Sequence, residues 1–315
     1  MGKTKYIDLI KEYPEWNSAV KVLEEIQSPC LQPCAKAFLA NMSRTAVFSM
    51  MPADILWEQT RDVLMWVNAR WRTGGGEIDP KEMFSKPRSE EERREFLKQA
   101  DAFWKWTESD IEKARKAGVN GIDTLADERP HLAMSINAML VSAILESWLF
   151  FEALVSDLWV SAVDNGGKLI SGRVGSVPRK KPDDSMPKVE EMDANFRTHP
   201  GSFWREAGIV TFQKRRDIVE HYSVAFGSEI KTIFDNTAGG DVWALNAYRN
   251  CITHSAGRVD HTFRKQAAPF PEFRNLPLKS RLLIDGALTA RLRNAAIITG
   301  AALLQEVDKM LLRGD

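Results

Sequence analysis

Three side chains near position 250 have types and spacing suited to phosphodiester chemistry. They are Arg249, Asn250 and His254, within the segment from Val242 to Asp260. Histidine moves a proton near neutral pH, and arginine keeps its charge and stabilises the extra negative charge of a five-coordinate phosphorus. The amide between them can hold a phosphate or the imidazole. On a helix Asn250 and His254 share a face, whereas Arg249 lies about 140° round from His254 and about 7.5 Å along the axis. One copy does not readily aim both groups at one phosphate, but two copies across a symmetry axis can.

Other residues invite competing readings. Arg216-Asp217-Ile-Val-Glu-His221 repeats the arginine-to-histidine spacing. The later copy is preferred because it runs into a glycine turn at Gly257 and is followed by one final helix. Arg249 and His254 also read more plainly as the basic end of a helix, with His254 over the last carbonyls. Cys30-x-x-x-Cys34 lacks a second ligand pair, so these thiols are expected to pack rather than to bind zinc. Glu128-Arg-Pro-His131 imitates half of a di-iron motif, but there is no second copy and Pro130 interrupts the helix that would present it. No metal and no cofactor is expected. Trp104 and Trp106 face different sides of one helix, as core tryptophans do. Lys214-Arg215-Arg216 reads as solvated charge.

The elements that must hold these groups are helical almost throughout. Tyr6 to Tyr13 and Trp16 to Ile26 carry apolar residues at three- and four-residue spacing, punctuated by Pro14 and Pro29. A helix from Pro52 runs towards Gly74-Gly75-Gly76, and a charged, peripheral one opens at Ser89-Glu-Glu-Glu and extends to Lys116. Pro130 starts an apolar run, His131 to Val163, that is hydrophobic nearly all round and reads as the central helix of a bundle. Gly166 to Asp193 is a basic loop without periodicity. A helix pair is expected over 203–233, another helix over 241–254, and a last one over 287–312. No strand pattern is long enough to build a sheet.

The chain has 315 residues, 44% hydrophobic and 27% charged, with ten tryptophans and fifteen phenylalanines, which is the composition of a globular protein. Its 43 basic residues equal its 43 acidic ones, so it is no bulk polycation. Attraction to nucleic acid must come from local clustering. Arg249 to Asp315 supplies that, with eleven basic residues against six acidic ones. Three cysteines argue against a disulfide framework and for the cytoplasm. No targeting segment is expected. Glu146, Glu152 and Asp157 interrupt the apolar run, so no membrane span or membrane partner is expected either.

Arg-Asn-x-x-x-His, then Gly257-Arg-Val-Asp260, after an apolar helix bearing Phe151-Glu152-Ala-Leu-Val-Ser-Asp157, resembles the HEPN superfamily of all-helical bundles. The resemblance covers roughly 131–312. It implies an all-α, HEPN-like bundle over residues 126–315 with an additional N-terminal helical region of unassigned role over 1–125. Many such proteins are metal-independent ribonucleases that dimerise and build the cleft from both copies. The resemblance places Arg249 and His254 in the paired catalytic positions, Asn250 in the polar position after the arginine, and Glu152 in a supporting acidic position on the partner helix. Glu152 reads equally well as an ion-pair partner of Arg249, and Asp157 as a helix-end or structural residue. The expectation is an RNA endonuclease acting in phage defence, toxin action or RNA processing, as a homodimer with a composite site, with an antitoxin or regulatory protein as a further partner. A non-catalytic helical module that binds nucleotide, RNA or protein through the same cleft is the alternative.

Overall fold

The computed structural model describes residues 14–47, 89–103, 127–166, 170 and 199–313. These are mostly helical, and among them there is no strand, only a single antiparallel bridge between Arg258 and Arg281. The all-α class read from the sequence is therefore observed. The described helices are α1 (Pro14–Glu24), α2 (residues 32–47), α3 (Glu90–Phe103), α4 (Pro130–Asn165), α5 (Pro200–Glu206), α6 (Arg215–Phe226), α7 (Lys231–Asp235), α8 (Thr237–Ser255), α9 (His261–Ala267), α10 (Pro271–Arg274) and α11 (Gly286–Arg313). The expected helices over 6–13 and 52–73, the stretch 104–116 with its two tryptophans, and nearly all of the basic loop lie outside the described residues.

The central helix is α4, 36 residues and so about 54 Å long. Pro130 occupies its first turn, where the missing N–H costs nothing. Ile136, Leu140, Ile144, Trp148, Phe151, Val155, Leu158 and Ala162 are buried along it. By length and composition alone this helix is long and apolar enough to cross a membrane, a test that a core helix also meets. Half of that stretch is buried against the rest of the protein.

α11 packs against α4, α8 and α1. Asp285 caps its start, accepting from the Leu288 amide at 2.8 Å. At Gly300 the packing becomes close. A Cβ there would lie 2.5 Å from the Phe38 ring of α2 and 2.7 Å from Leu154 of α4. Glycine is what lets three helices meet at this point.

The stretch 32–47 has no assignment in the sequence reading, yet it is a core helix. Leu31, Cys34, Ala35, Phe38 and Met42 are buried at helical spacing. Its entry is tied to the far end of the chain, because the Gln27 and Ser28 amides donate to Asp308 at 3.1 and 2.7 Å. Residues of α1 and α2 thus share one apolar core with α4 and α11. The cysteines pack as expected. Cys34 is buried with its Sγ 3.5 Å from Ser161 Oγ, and no group of metal-ligating side chains occurs among the described residues.

The expected helix pair over 203–233 is divided into α5, α6, a 3-10 turn at Ser228–Ile230, and α7. Gly227, at φ 90°, makes the break after α6. α5 is docked on α4 by two carboxylates. Asp164 accepts from Gly201 N and Ser202 Oγ, each at 2.6 Å, and Asp157 accepts from Arg205 at 2.7 Å. Asp157 is thus a structural residue, although it sits inside α4 and not at its end.

Candidate functional site

The candidate residues ride on α8, whose two halves differ. Asn236 caps the start, accepting from Gly239 N at 2.7 Å, and every residue from Val242 to Tyr248 is buried. This half locks the helix between α4 and α11. Beyond Tyr248 the helix emerges. Arg249 and Asn250 are half-buried and His254 is exposed. The apolar half therefore serves as a rigid mount, and the polar end is presented to solvent.

Arg249 is held through amides. Its Nη1 donates to Asn250 Oδ1 at 2.9 Å, Asn250 Nδ2 donates to Asn246 Oδ1 at 2.9 Å, and Asn246 Nδ2 reaches the Gln213 carbonyl at 3.5 Å. A donor-only guanidinium stands at one end and an acceptor-only carbonyl at the other, so the relay has one polarity and both amide orientations follow from it. Gln266 of α9 adds a long contact to Asn250 at 3.5 Å. The buried Asn246 is the residue that sequence reasoning missed. Its signal is present, since it is a lone amide in an apolar run, one helical turn before Asn250.

Neither the guanidinium nor the imidazole of the motif is paired with an acid. Among the described residues Arg249 forms no ion pair and His254 has no hydrogen-bond partner. The guanidinium is thus held in place with its charge uncompensated, and the imidazole is open to solvent. Arg249, Asn250 and the Asn246 amide are brought together, while His254 stands apart towards the helix end.

Glu152 does not join them. It accepts from Trp148 Nε1, one turn back on its own helix, at 2.7 Å, and no ion pair links it to Arg249. The ion-pair reading of Glu152 is corrected on that ground. The i,i+4 indole donor is always at hand, whereas Arg249 lies on another helix and already has its amide.

The turn after α8 is built by two left-handed residues, Ala256 at φ 50° and Gly257 at φ 69°. The sequence reading gave the closure to Gly257 alone, but Ala256 takes the cap position. Its strain is compensated by hydrogen bonds around it. Gly257 N donates to the Cys251 carbonyl at 3.1 Å, and Cys251 Sγ to the Arg258 carbonyl at 3.1 Å. Burial pushes the Cys251 thiol up to about 11, and the nearby Asp260 adds to this. Asp260 accepts from Phe263 N at 2.7 Å, capping α9, and also from the Ser255 hydroxyl. The amide first and the hydroxyl second hold its carboxyl below the usual carboxylate range.

The earlier arginine-histidine copy is dispersed. Arg216 is exposed and pairs with Glu220 at 3.6 Å. His221 packs edge-on against Phe212 and Trp159, with ring centroids 5.8 and 6.3 Å away, and burial lowers its pKa. This imidazole is a core-facing ring, and it shares no site with Arg216.

Comparison with protein-family models, with curated proteins and with solved structures finds no match to this chain.

Proposed function

We propose that the protein is a metal-independent RNA endonuclease of HEPN type, with Arg249 and His254 as its catalytic pair. The observation that carries this reading is the amide-held, unneutralised guanidinium of Arg249 on the same helix end as an unpartnered, exposed His254. An isolated structural arginine is ordinarily matched by a carboxylate. One left open beside a histidine suits a phosphorane that carries extra charge only while the reaction proceeds.

In the proposed reaction an imidazole takes the proton of a ribose 2′-hydroxyl, whose oxygen forms a bond to the adjacent phosphorus. Arg249 stabilises the charge on the non-bridging oxygens. The bond to the 5′-oxygen breaks, and an imidazolium returns a proton to that leaving group. The products are a 2′,3′-cyclic phosphate and a 5′-hydroxyl. A homodimer would set the Arg249 of one copy against the His254 of its partner. Glu152, held by the Trp148 indole on α4, would support the site only indirectly. A cytoplasmic role in phage defence, toxin action or RNA processing, restrained by an antitoxin or regulatory protein, agrees with this chemistry.

The expected outcome is that His254→Ala and Arg249→Ala each slow cleavage by at least about 100-fold with helical circular dichroism unchanged, whereas His221→Ala leaves cleavage intact. Cleavage should persist in excess EDTA, and a 2′-O-methyl group at the scissile ribose should block it. A strict requirement for magnesium would overturn the roles given to Arg249 and His254. The second reading, a non-catalytic binding module, is favoured by one observation. His254 has no partner among the described residues to fix its tautomer, as a general base usually has. Tight RNA binding without cleavage by the dimer would decide for it.

A further inference from the structure

The chain that leaves α8 gathers cations and gives them no acid. Residues 257–259 run antiparallel to residues 279–282. Val259 N donates to the Ser280 carbonyl at 2.8 Å, Lys279 N to the Val259 carbonyl at 2.7 Å, and Leu282 N to the Gly257 carbonyl at 2.8 Å. This clip sets Arg258 directly opposite Arg281. Lys279 lies beside them at φ 65°, its carbonyl accepting from Arg258 Nη1 at 3.3 Å. All three side chains are exposed.

Like charges facing each other across a strand pair are destabilising, and an acidic neighbour is the usual remedy. Here there is none, for Arg258, Lys279 and Arg281 form no ion pair among the described residues. The acids of this region are committed elsewhere. Asp260 caps α9, Asp285 caps α11, and Glu272 and Asp241 both hold Arg291, at 2.7 and 3.6 Å. The clip therefore has three unmatched positive charges that the fold maintains at some expense.

Resting on the nuclease reading for where the scissile bond lies, we propose that Arg258, Lys279 and Arg281 form a docking track for the phosphodiester backbone of single-stranded RNA, flanking His254. Arg258 is four positions on from His254, a span of at most about 14 Å, so a strand on the track passes the imidazole. An unpaired strand fits because an extended, exposed row of cations follows a flexible backbone, and because the 2′-hydroxyl of an unstacked nucleotide is free to turn in line with its phosphate. An acidic protein would need an apolar anchor at the centre of its interface, whereas the large apolar side chains exposed here, Leu278 and Leu283, come before and after residues 279–282 and not between the cations.

The test uses the full chain and a fluorescein-labelled 2′-O-methyl oligoribonucleotide, which reports binding and cannot be cleaved by the proposed route. Each phosphate contact on a single strand contributes a salt slope of about −0.7, or roughly fivefold in affinity at 0.1 M salt. The double variant Arg258→Gln/Arg281→Gln should therefore bind about 25-fold more weakly, with a slope flatter by about 1.4. Its melting temperature should not fall, because the opposed charges are gone. Arg258→Lys/Arg281→Lys should retain both affinity and slope, and so should Arg313→Gln, which removes an exposed charge at the far end of α11. Unchanged affinity and slope in the first double variant would overturn the track, even with cleavage of ordinary RNA intact. Binding of polyglutamate in preference to the oligonucleotide would overturn it also, and would point to an acidic protein partner. Clip-dependent binding by a protein that cleaves no RNA would overturn the nuclease and leave the track standing.

Discussion

At the scale of single residues, the charge of Arg249 is useful only if the guanidinium is held still. The hydrogen bond it donates to Asn250 Oδ1 does this, and Asn246 fixes which way the Asn250 amide points. Asn246→Leu has nearly the same volume but offers no acceptor, so Asn250 can turn its NH2 towards the guanidinium. We expect cleavage to slow roughly 10- to 100-fold, the equivalent of one charge-assisted hydrogen bond of about 1.5–3 kcal/mol, while the melting temperature holds or rises because a buried amide has become apolar. A matching fall in both would make Asn246 merely structural. Asp260 gives a second prediction at this scale. Its folded pKa is depressed, so its stabilisation is fully present above the unfolded value of about 3.9 and is lost as pH falls through the lower folded value. Asp260→Asn keeps a cap for Phe263 N but cannot titrate. The variant's urea midpoint should accordingly fall less steeply than the wild type's below about pH 4, and parallel acid limbs would show that the carboxyl's pKa does not matter.

At the scale of elements, the helix periods mark α4, α8 and α11 in the sequence to within a few residues, because each pairs a long apolar pattern with a Pro, Asn or Asp near its start. The helix over 32–47 escapes that reading although Leu31, Cys34, Phe38 and Met42 recur at helical spacing. Its apolar stripe is narrow and Pro33 stands near its start, so its burial is legible only once Phe150 and Gly300 are seen against Phe38. The division of 203–233 escapes for a different reason, since Gly227 interrupts a pattern that is otherwise continuous. Arg249, Asn250 and His254 are legible through residue type. The relay through Asn246 and the indole on Glu152 are not, because an amide or a carboxylate does not reveal its partner before the backbone is placed. The packing at Gly300 yields a prediction of its own. Gly300→Ala improves helix propensity by about 1 kcal/mol, but its methyl group would press on Phe38 and Leu154. Overpacking of this kind costs about 1–3 kcal/mol, so a net loss is expected in chemical denaturation, and pairing it with Phe38→Leu should recover part of it. A simple gain in stability would mean that α2 can move away freely.

At the scale of the whole molecule, the dimer is the statement most exposed to test. Arg249 and His254 lie five residues apart on one helix, so a single copy does not readily turn both towards one phosphate. Mixing Arg249→Ala with His254→Ala protein should restore cleavage in the heterodimer if each site takes one residue from each copy. Two inactive proteins that remain inactive when mixed and re-equilibrated would place the whole site within one chain. A different property follows from Asp308, which binds the amides of Gln27 and Ser28 across about 280 residues of chain. On the ribosome α1 and α2 appear early, and α11, the latest of the described helices, both carries that carboxylate and covers their apolar faces. Contacts of such long sequence separation form slowly and cannot begin before α11 is synthesised. Because α8 also rests on α11, the helix bearing Arg249 and His254 has no finished mount until α11 has been synthesised. If the proposed ribonuclease activity holds, a chain assembled in this order would gain it only after α11 has been made.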